Sequence, residues 1–336
     1  MAMALSVTKA VAMLVSMLVL SFTIPSLAIS ISSFTKLPLP PQVMGPEAFA
    51  FDLQGQGPYT GVLDGRTLKY QGPSLGFLDY AFDSPNRSKA ACDGNTNPSA
   101  FGGICGRPLG IGFQYTGELY IADANLGLLV ASTNGRLARA VASSAEGQPF
   151  KFLDGLDIYP LTKTVFLTDA SSRFNFSELA QAVAANDSTG RFIKYEPNIN
   201  TTTVLLRNLS APAGVAVSLD GSFVLVTEYL ANRVLKYWLK GPKANTSEAL
   251  VTFQGRPDNI KRNPLGDFWV AVNVQETPTA PIVPTAVKIN YSGKILASFP
   301  LSDQYNTTTI SEVNEYDGNL YIGSLETKFV GKYRIM

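Results

Sequence analysis

Six copies of one short phrase run through this chain: a small polar turn, usually carrying Gly, followed by an alternating apolar strand. The copies are Gly57-Pro58-Tyr59-Thr60-Gly61-Val62, Gly117-Glu118-Leu119-Tyr120-Ile121, Lys163-Thr164-Val165-Phe166-Leu167, Gly221-Ser222-Phe223-Val224-Leu225-Val226, Gly266-Asp267-Phe268-Trp269-Val270 and Gly318-Asn319-Leu320-Tyr321-Ile322, spaced 45 to 60 residues apart. A strand-built repeat near this period is the mark of propeller blades. Each copy follows a second strand-like piece rich in small residues, such as Gly155-Leu156-Asp157-Ile158 and Gly214-Val215-Ala216-Val217, which suits an inner strand near the axis. The expectation is an all-β, six-bladed β-propeller with four-stranded blades, filling residues 29–336 as one domain. The polar segment Ile29 to Gln42 is expected to supply a closing strand, because a ring of blades is completed by one terminus joining the other. Between the third and fourth copies, Ser177 to Ala185 reads as a short amphipathic helix on one face, with Ser177 as N-cap.

The bulk chemistry agrees. Of 336 residues 46% are apolar and 16% charged, which suits a large buried β core. A net charge of +1 provides no field for nucleic acid or anionic lipid, so neither is an expected partner. Residues 1–28 read as a secretory signal peptide: Lys9, an apolar run from Ala10 to Ile24, then small residues at Ser26 and Ala28. Asn-x-Ser/Thr sequons stand at Asn86, Asn175, Asn186, Asn200, Asn208, Asn245, Asn290 and Asn306, as expected of a glycosylated surface. In such a compartment Cys92 and Cys105, the only cysteines, are expected to pair rather than remain free thiols. After cleavage of the leader, no membrane association is expected, and the chain reads as a monomer.

The inner-strand entrances carry Glu47, Arg107, Asp154, Ala213, Asp258-Asn259 and Ser311-Glu312. Each alone reads as a turn residue or cap. At equivalent points of a ring they converge, and converging carboxylates must bind a cation, pair with Arg107 or be protonated. No His is present, which excludes a Ser-His-Asp triad and His-bound zinc.

The segments Gly45-Pro46-Glu47-Ala48-Phe49-Ala50-Phe51-Asp52, Gly61-Val62-Leu63-Asp64-Gly65-Arg66, Cys105-Gly106-Arg107-Pro108-Leu109-Gly110, Tyr120-Ile121-Ala122-Asp123-Ala124, Pro257-Asp258-Asn259-Ile260 and Glu312-Val313-Asn314-Glu315 resemble, in this order, the plant strictosidine synthase-like family. The resemblance implies a six-bladed propeller, typically vacuolar, with paired cysteines beside the pocket. It also implies the founding chemistry, condensation of tryptamine with the aldehyde of secologanin. The family's catalytic Glu stands four residues before its Glu-x-Asp-Gly turn, here Glu315-Tyr316-Asp317-Gly318, and that position is Ser311. The pocket His falls near Thr309. A Ser hydroxyl without a proton acceptor is no general base at neutral pH. Glu312 adjoins it, but alternation sends it to the opposite face of the strand. The founding activity is therefore expected to be lost. Distant relatives of the fold are calcium-dependent lactonases and phosphotriesterases, and their metal positions correspond to Glu47, Asp154, Asp258 and Asn259, with Ala213 where an Asn belongs. Three readings follow. The first is hydrolysis of a small ester or lactone, with calcium as the candidate metal. The second is binding of a small amine or glycoside without catalysis, oriented by Arg107 and the carboxylates; Arg107, Ser311 and Thr309 are the candidate substrate-binding residues. The third is condensation with Glu312 or Asp258 as substitute base.

Overall fold

The computed structural model describes residues 29–336, and the leader assigned to residues 1–28 lies outside them. Six four-stranded antiparallel blades form the chain. Their inner strands are Phe49–Ala50, Pro108–Phe113, Leu153–Tyr159, Pro212–Val217, Gly255–Arg262 and Val313–Tyr316. The sixfold phrase forms the second strand of every blade, from Tyr59–Gly61 to Asn319–Ile322. Blades 1 and 2 also share a short parallel contact, Ala81 with Arg136 and Phe82 with Leu137. The ring closes as expected: Ile31–Pro38 is the outermost strand of blade 6, with Leu37 opposite Val330 and Ile31 opposite Ile335. Among the described residues no helix is long and apolar enough to cross a membrane.

Packing follows from alternation. Each blade turns one apolar face to each neighbour, so the core is divided among the blade interfaces. Between blades 4 and 5, for example, Phe223, Leu225 and Val234 pack against Ile260, Val270 and Val287. Where neighbouring inner strands touch there is no room for a side chain, and glycine stands at the contact. A Cβ on Gly110 would come within 2.5 Å of the Asp154 carbonyl, and one on Gly214 within 2.6 Å of the Asn259 Cα. Gly155 likewise abuts the carbonyl of Ala213. Inner strands two, three and four thus lie backbone to backbone against their successors.

The helix between the second and third strands of blade 3 is present, but its cap is not Ser177. A 3-10 turn, Phe176–Glu178, precedes the helix Leu179–Ala184. The Glu178 carboxylate accepts from the backbone N–H of Asn175 at 2.9 Å, so the chain is captured two residues earlier than the sequence suggested. Cys92 and Cys105 form a disulfide with Cα atoms 5.6 Å apart, tying the helices Lys89–Cys92 and Pro98–Cys105 together. Of the sequon asparagines, Asn86, Asn186, Asn200, Asn208, Asn245 and Asn306 are exposed; Asn175 and Asn290 are half-buried. The Asn175 amide also donates to Glu178, and Asn290 accepts from Ser292 and Lys294.

Candidate active site

The entrances of four inner strands are held by a polar side chain near the end of a second strand, of the same blade in blades 2 to 4 and of the preceding blade in blade 6. In blade 2, Asp123 accepts from the backbone N–H of Arg107 at 2.6 Å and from those of Asn125 and Leu126 at 2.8 Å. In blade 3, Asp169 accepts from Phe152 at 2.9 Å and pairs with Arg191 at 2.6 Å. In blade 4, Glu228 accepts from Ser210 at 2.8 Å. In blade 5, Asn273 both accepts from and donates to the backbone of Ile310, at 2.9 Å each way. Buried carboxylates and amides are retained where backbone donors satisfy them. Here they fix the loops that deliver Arg107, Asp154, Ala213 and Ser311.

These loops surround a cavity of about 250 Å³ at the end of the channel where the inner strands begin. Glu47, Asp154 and Asp258 line it together, as the ring arrangement predicts, and Thr309 lies at its edge. Its walls are Phe152, Phe176, Leu179, Tyr229 and Leu325. The helix therefore does wall the pocket. Of these wall residues the sequence reading singled out none. Thr309 donates to Glu326, another lining residue, at 2.9 Å.

Ser311 and Glu312 are not brought into the cavity. The Ser311 hydroxyl donates to the Glu47 carbonyl at 2.8 Å, tying blade 6 to blade 1. Glu312 is fully buried; it accepts from the Phe49 N–H at 2.8 Å and faces the Lys261 ammonium at 3.5 Å. The two side chains make separate contacts, as alternation requires, and neither lines the cavity. Arg107 is also fully buried, behind the lining rather than in it. One guanidinium nitrogen donates to the Gly45 carbonyl at 3.0 Å, and Nε and Nη2 lack partners. The cation stands 5.7 Å from the Phe176 ring centre.

Burial sets the charge state of the cavity. The Glu47 carboxyl is pushed well above the usual range by burial, then by the charges of Asp154, Asp258 and Glu312. Asp258 is raised well above it by burial and by Asp154 and Glu312. Asp154 is pushed up to about 7 by burial, with Arg107 opposing. Burial pulls Arg107 down to about 10 against the pull of Glu47, Asp123 and Asp154. Burial thus disfavours the ionised form of all three acids, and Asp154, at about 7, is the one whose titration falls near neutral pH.

The side chains do not fit a calcium site. Calcium takes six to eight oxygens. Among the described residues no three acidic side chains gather closely enough to hold a metal ion. Asn259 turns its amide N–H toward Glu47 Oε1, 2.7 Å away, and Ala213 offers a methyl group where another ligand would be needed. We expect millimolar calcium to leave the melting temperature of chelator-treated protein unchanged; a rise of several degrees would restore the metal reading.

The family model described as strictosidine synthase matches residues 154–242. Protein STRICTOSIDINE SYNTHASE-LIKE 12 of Arabidopsis thaliana is 48% identical over 302 residues, covering 89% of each chain. Strictosidine synthase of Catharanthus roseus is 40% identical over 291 residues, covering 85% of this chain and 82% of that one. Among solved structures, a gluconolactonase from Xanthomonas campestris superimposes with a TM-score of 0.64 at 13% identity, covering 90% of this chain and 89% of that one. That likeness speaks for the fold alone.

Proposed function

This chain belongs to the strictosidine synthase-like family, and from that premise we propose that it is a small-molecule hydrolase acting on an ester or lactone without a metal ion. The observation that carries the reading is the set of three acids, Glu47, Asp154 and Asp258, in one apolar-walled cavity. A hydrolytic site needs one acid near half-ionisation and others kept protonated. Asp154 has the first property, with its carboxyl at about 7. Glu47 and Asp258 are pushed toward the second by burial and by the neighbouring carboxylates.

In this mechanism ionised Asp154 takes a proton from water as the water oxygen bonds to the substrate carbonyl carbon. The carbonyl oxygen becomes an oxyanion and accepts a hydrogen bond from the protonated Asp258 or Glu47 carboxyl. The tetrahedral species collapses, the bond to the leaving oxygen breaks, and Asp154 returns its proton to that oxygen. Phe152, Phe176 and Leu179 exclude bulk water from one side. The test is hydrolysis of an ester and lactone panel by the purified protein. Asp154→Asn should lower kcat by about 10²- to 10⁴-fold, the usual contribution of a positioned acid–base group. An unchanged kcat would remove Asp154 from the mechanism.

The kinship with strictosidine synthase, together with acids set among aromatic walls, favours amine–aldehyde condensation as the second reading. In it Asp258 would take the proton of the ammonium, since Glu312 lies off the cavity. Incubation with tryptamine and secologanin, followed by mass spectrometry, separates the two. The hydrolase reading expects no coupled glucoside above the uncatalysed rate.

We further propose the secretory route, ending in the vacuole, with a monomeric glycosylated protein whose partner is its small-molecule substrate. The Cys92–Cys105 bond and the exposed sequons support that route.

A further inference from the structure

Beside the acid cavity lies a second recess of about 250 Å³, and Tyr229 and Thr309 line both. The recess is polar where the cavity is apolar: Asn232, Arg256, Gln275 and Thr277 contribute to it. Arg256 stands two residues before Asp258 on the inner strand of blade 5. Two strand residues span about 6.6 Å, so one small molecule reaches from one to the other.

The Arg256 guanidinium lies 5.2 Å from the centre of the Tyr229 ring. Among the described residues it makes no ion pair, whereas Arg66, Arg191 and Arg233 are each held by a carboxylate. Glu276, exposed on the rim of the same recess, is not paired with it. The half-buried guanidinium beside the Tyr229 ring has no carboxylate partner among the described residues, and its planar donor fork matches one. Burial disfavours the ionised forms of Glu47 and Asp258 in the neighbouring cavity, which lessens its repulsion of an anion.

We propose that this recess is the carboxylate-binding half of the substrate site. The ligand is a small organic acid: its carboxylate is held by Arg256, its apolar body crosses Tyr229, and its far end reaches Asp154 and Asp258. Placing an ester or lactone carbonyl at that far end rests on the hydrolase reading; the carboxylate site does not.

The test compares 4-nitrophenyl hydrogen glutarate with the neutral 4-nitrophenyl pentanoate. The wild-type protein should favour the acid ester by about 10-fold or more in kcat/KM, as expected for a charged hydrogen-bonded pair. Arg256→Met should bring the ratio close to one, and Arg256→Lys should retain part of it. Equal kcat/KM for the two esters in the wild type, or a preference that survives in Arg256→Met, would overturn the proposal. A binding readout keeps the two ideas apart. By calorimetry 4-phenylbutyrate should bind more tightly than 4-phenylbutyramide, and Arg256→Met should erase the difference. Selective binding without turnover of either ester would sustain the recess and defeat the hydrolase; equal binding of acid and amide would defeat the recess.

Discussion

Gly214→Val is expected to stop the ring from assembling. The Cβ alone would sit 2.6 Å from the Asn259 Cα and closer still to the Ile260 amide nitrogen, and valine adds two methyl groups beyond it. These neighbours are the backbone of the next inner strand, which has no rotamer through which to yield. Relief requires blades 4 and 5 to separate along the axis. That separation opens the interface where Val215, Ala216 and Ile260 are at most 1% exposed. Overpacking of a rigid core commonly costs 1–3 kcal/mol, and a backbone clash costs more, which is a large part of the roughly 5–15 kcal/mol that stabilises a domain. Expression as a secreted protein should fail, or the melting temperature should fall by about 10 °C or more. Gly103→Val is the control, because nothing lies within 4 Å of its added Cβ and its backbone is helical rather than left-handed. Equal melting temperatures for the two variants would refute the account of axial packing.

The second large effect is on the pH dependence of stability. Glu47, Asp83, Asp154 and Asp258 are all raised above their ordinary values, chiefly by burial. Between the ordinary carboxyl range and the raised one, the folded chain binds more protons than the unfolded chain. Stability therefore falls as pH rises through that window. For Asp154 the window runs from 3.8 to about 7, which corresponds to about 4 kcal/mol. Asp52 and Asp220 have the opposite sign: hydrogen bonds lower them, so their contribution is lost only in stronger acid. The melting temperature should thus peak in mild acid, near pH 5, and decline toward pH 8. Asp154→Asn should flatten the decline. A melting temperature that rises steadily from pH 5 to pH 8 would show that these acids are ionised in the fold. Maximal stability in mild acid would also suit residence in an acidic compartment.

The ring was legible because a blade writes itself twice, as a polar turn and as a two-residue alternation, and both recur at the blade spacing. The closing strand was legible for a topological reason: the last blade of a ring is completed by a strand from the other end of the domain. The acids Glu47, Asp154 and Asp258 could be found by lining up the strand entrances, since equivalent positions point to one axis. Ser311 and Glu312 occupied such an entrance too, yet the backbone of blade 1 claims them, Ser311 through the Glu47 carbonyl and Glu312 through the Phe49 N–H. Pairwise contacts between the first and last blades leave no trace in local pattern. Phe152, Phe176, Tyr229 and Arg256 escaped notice for another reason. Most of these residues come from loops and one helical insertion that do not repeat, so there was nothing to align them with. Asn175, rather than Ser177, began the helix because Glu178 reaches back to it, a signal that lies in the sequence but was outweighed by a nearer Ser.

The strand Ile31–Pro38 has one further consequence. It is among the first described residues to be synthesised, and its partner Phe329–Ile335 is among the last. Until both exist, blade 6 lacks its outer strand and the ring stays open, with an unsatisfied sheet edge. Order in this protein therefore cannot spread to completion as each blade emerges; it waits on a pairing between the two extremes of the chain, which makes the final step slow and leaves the incomplete ring dependent on protection from aggregation. Once that step is made, Ser30 and Met336 exchange backbone hydrogen bonds, so the first and last stretches of the described residues lock each other in place.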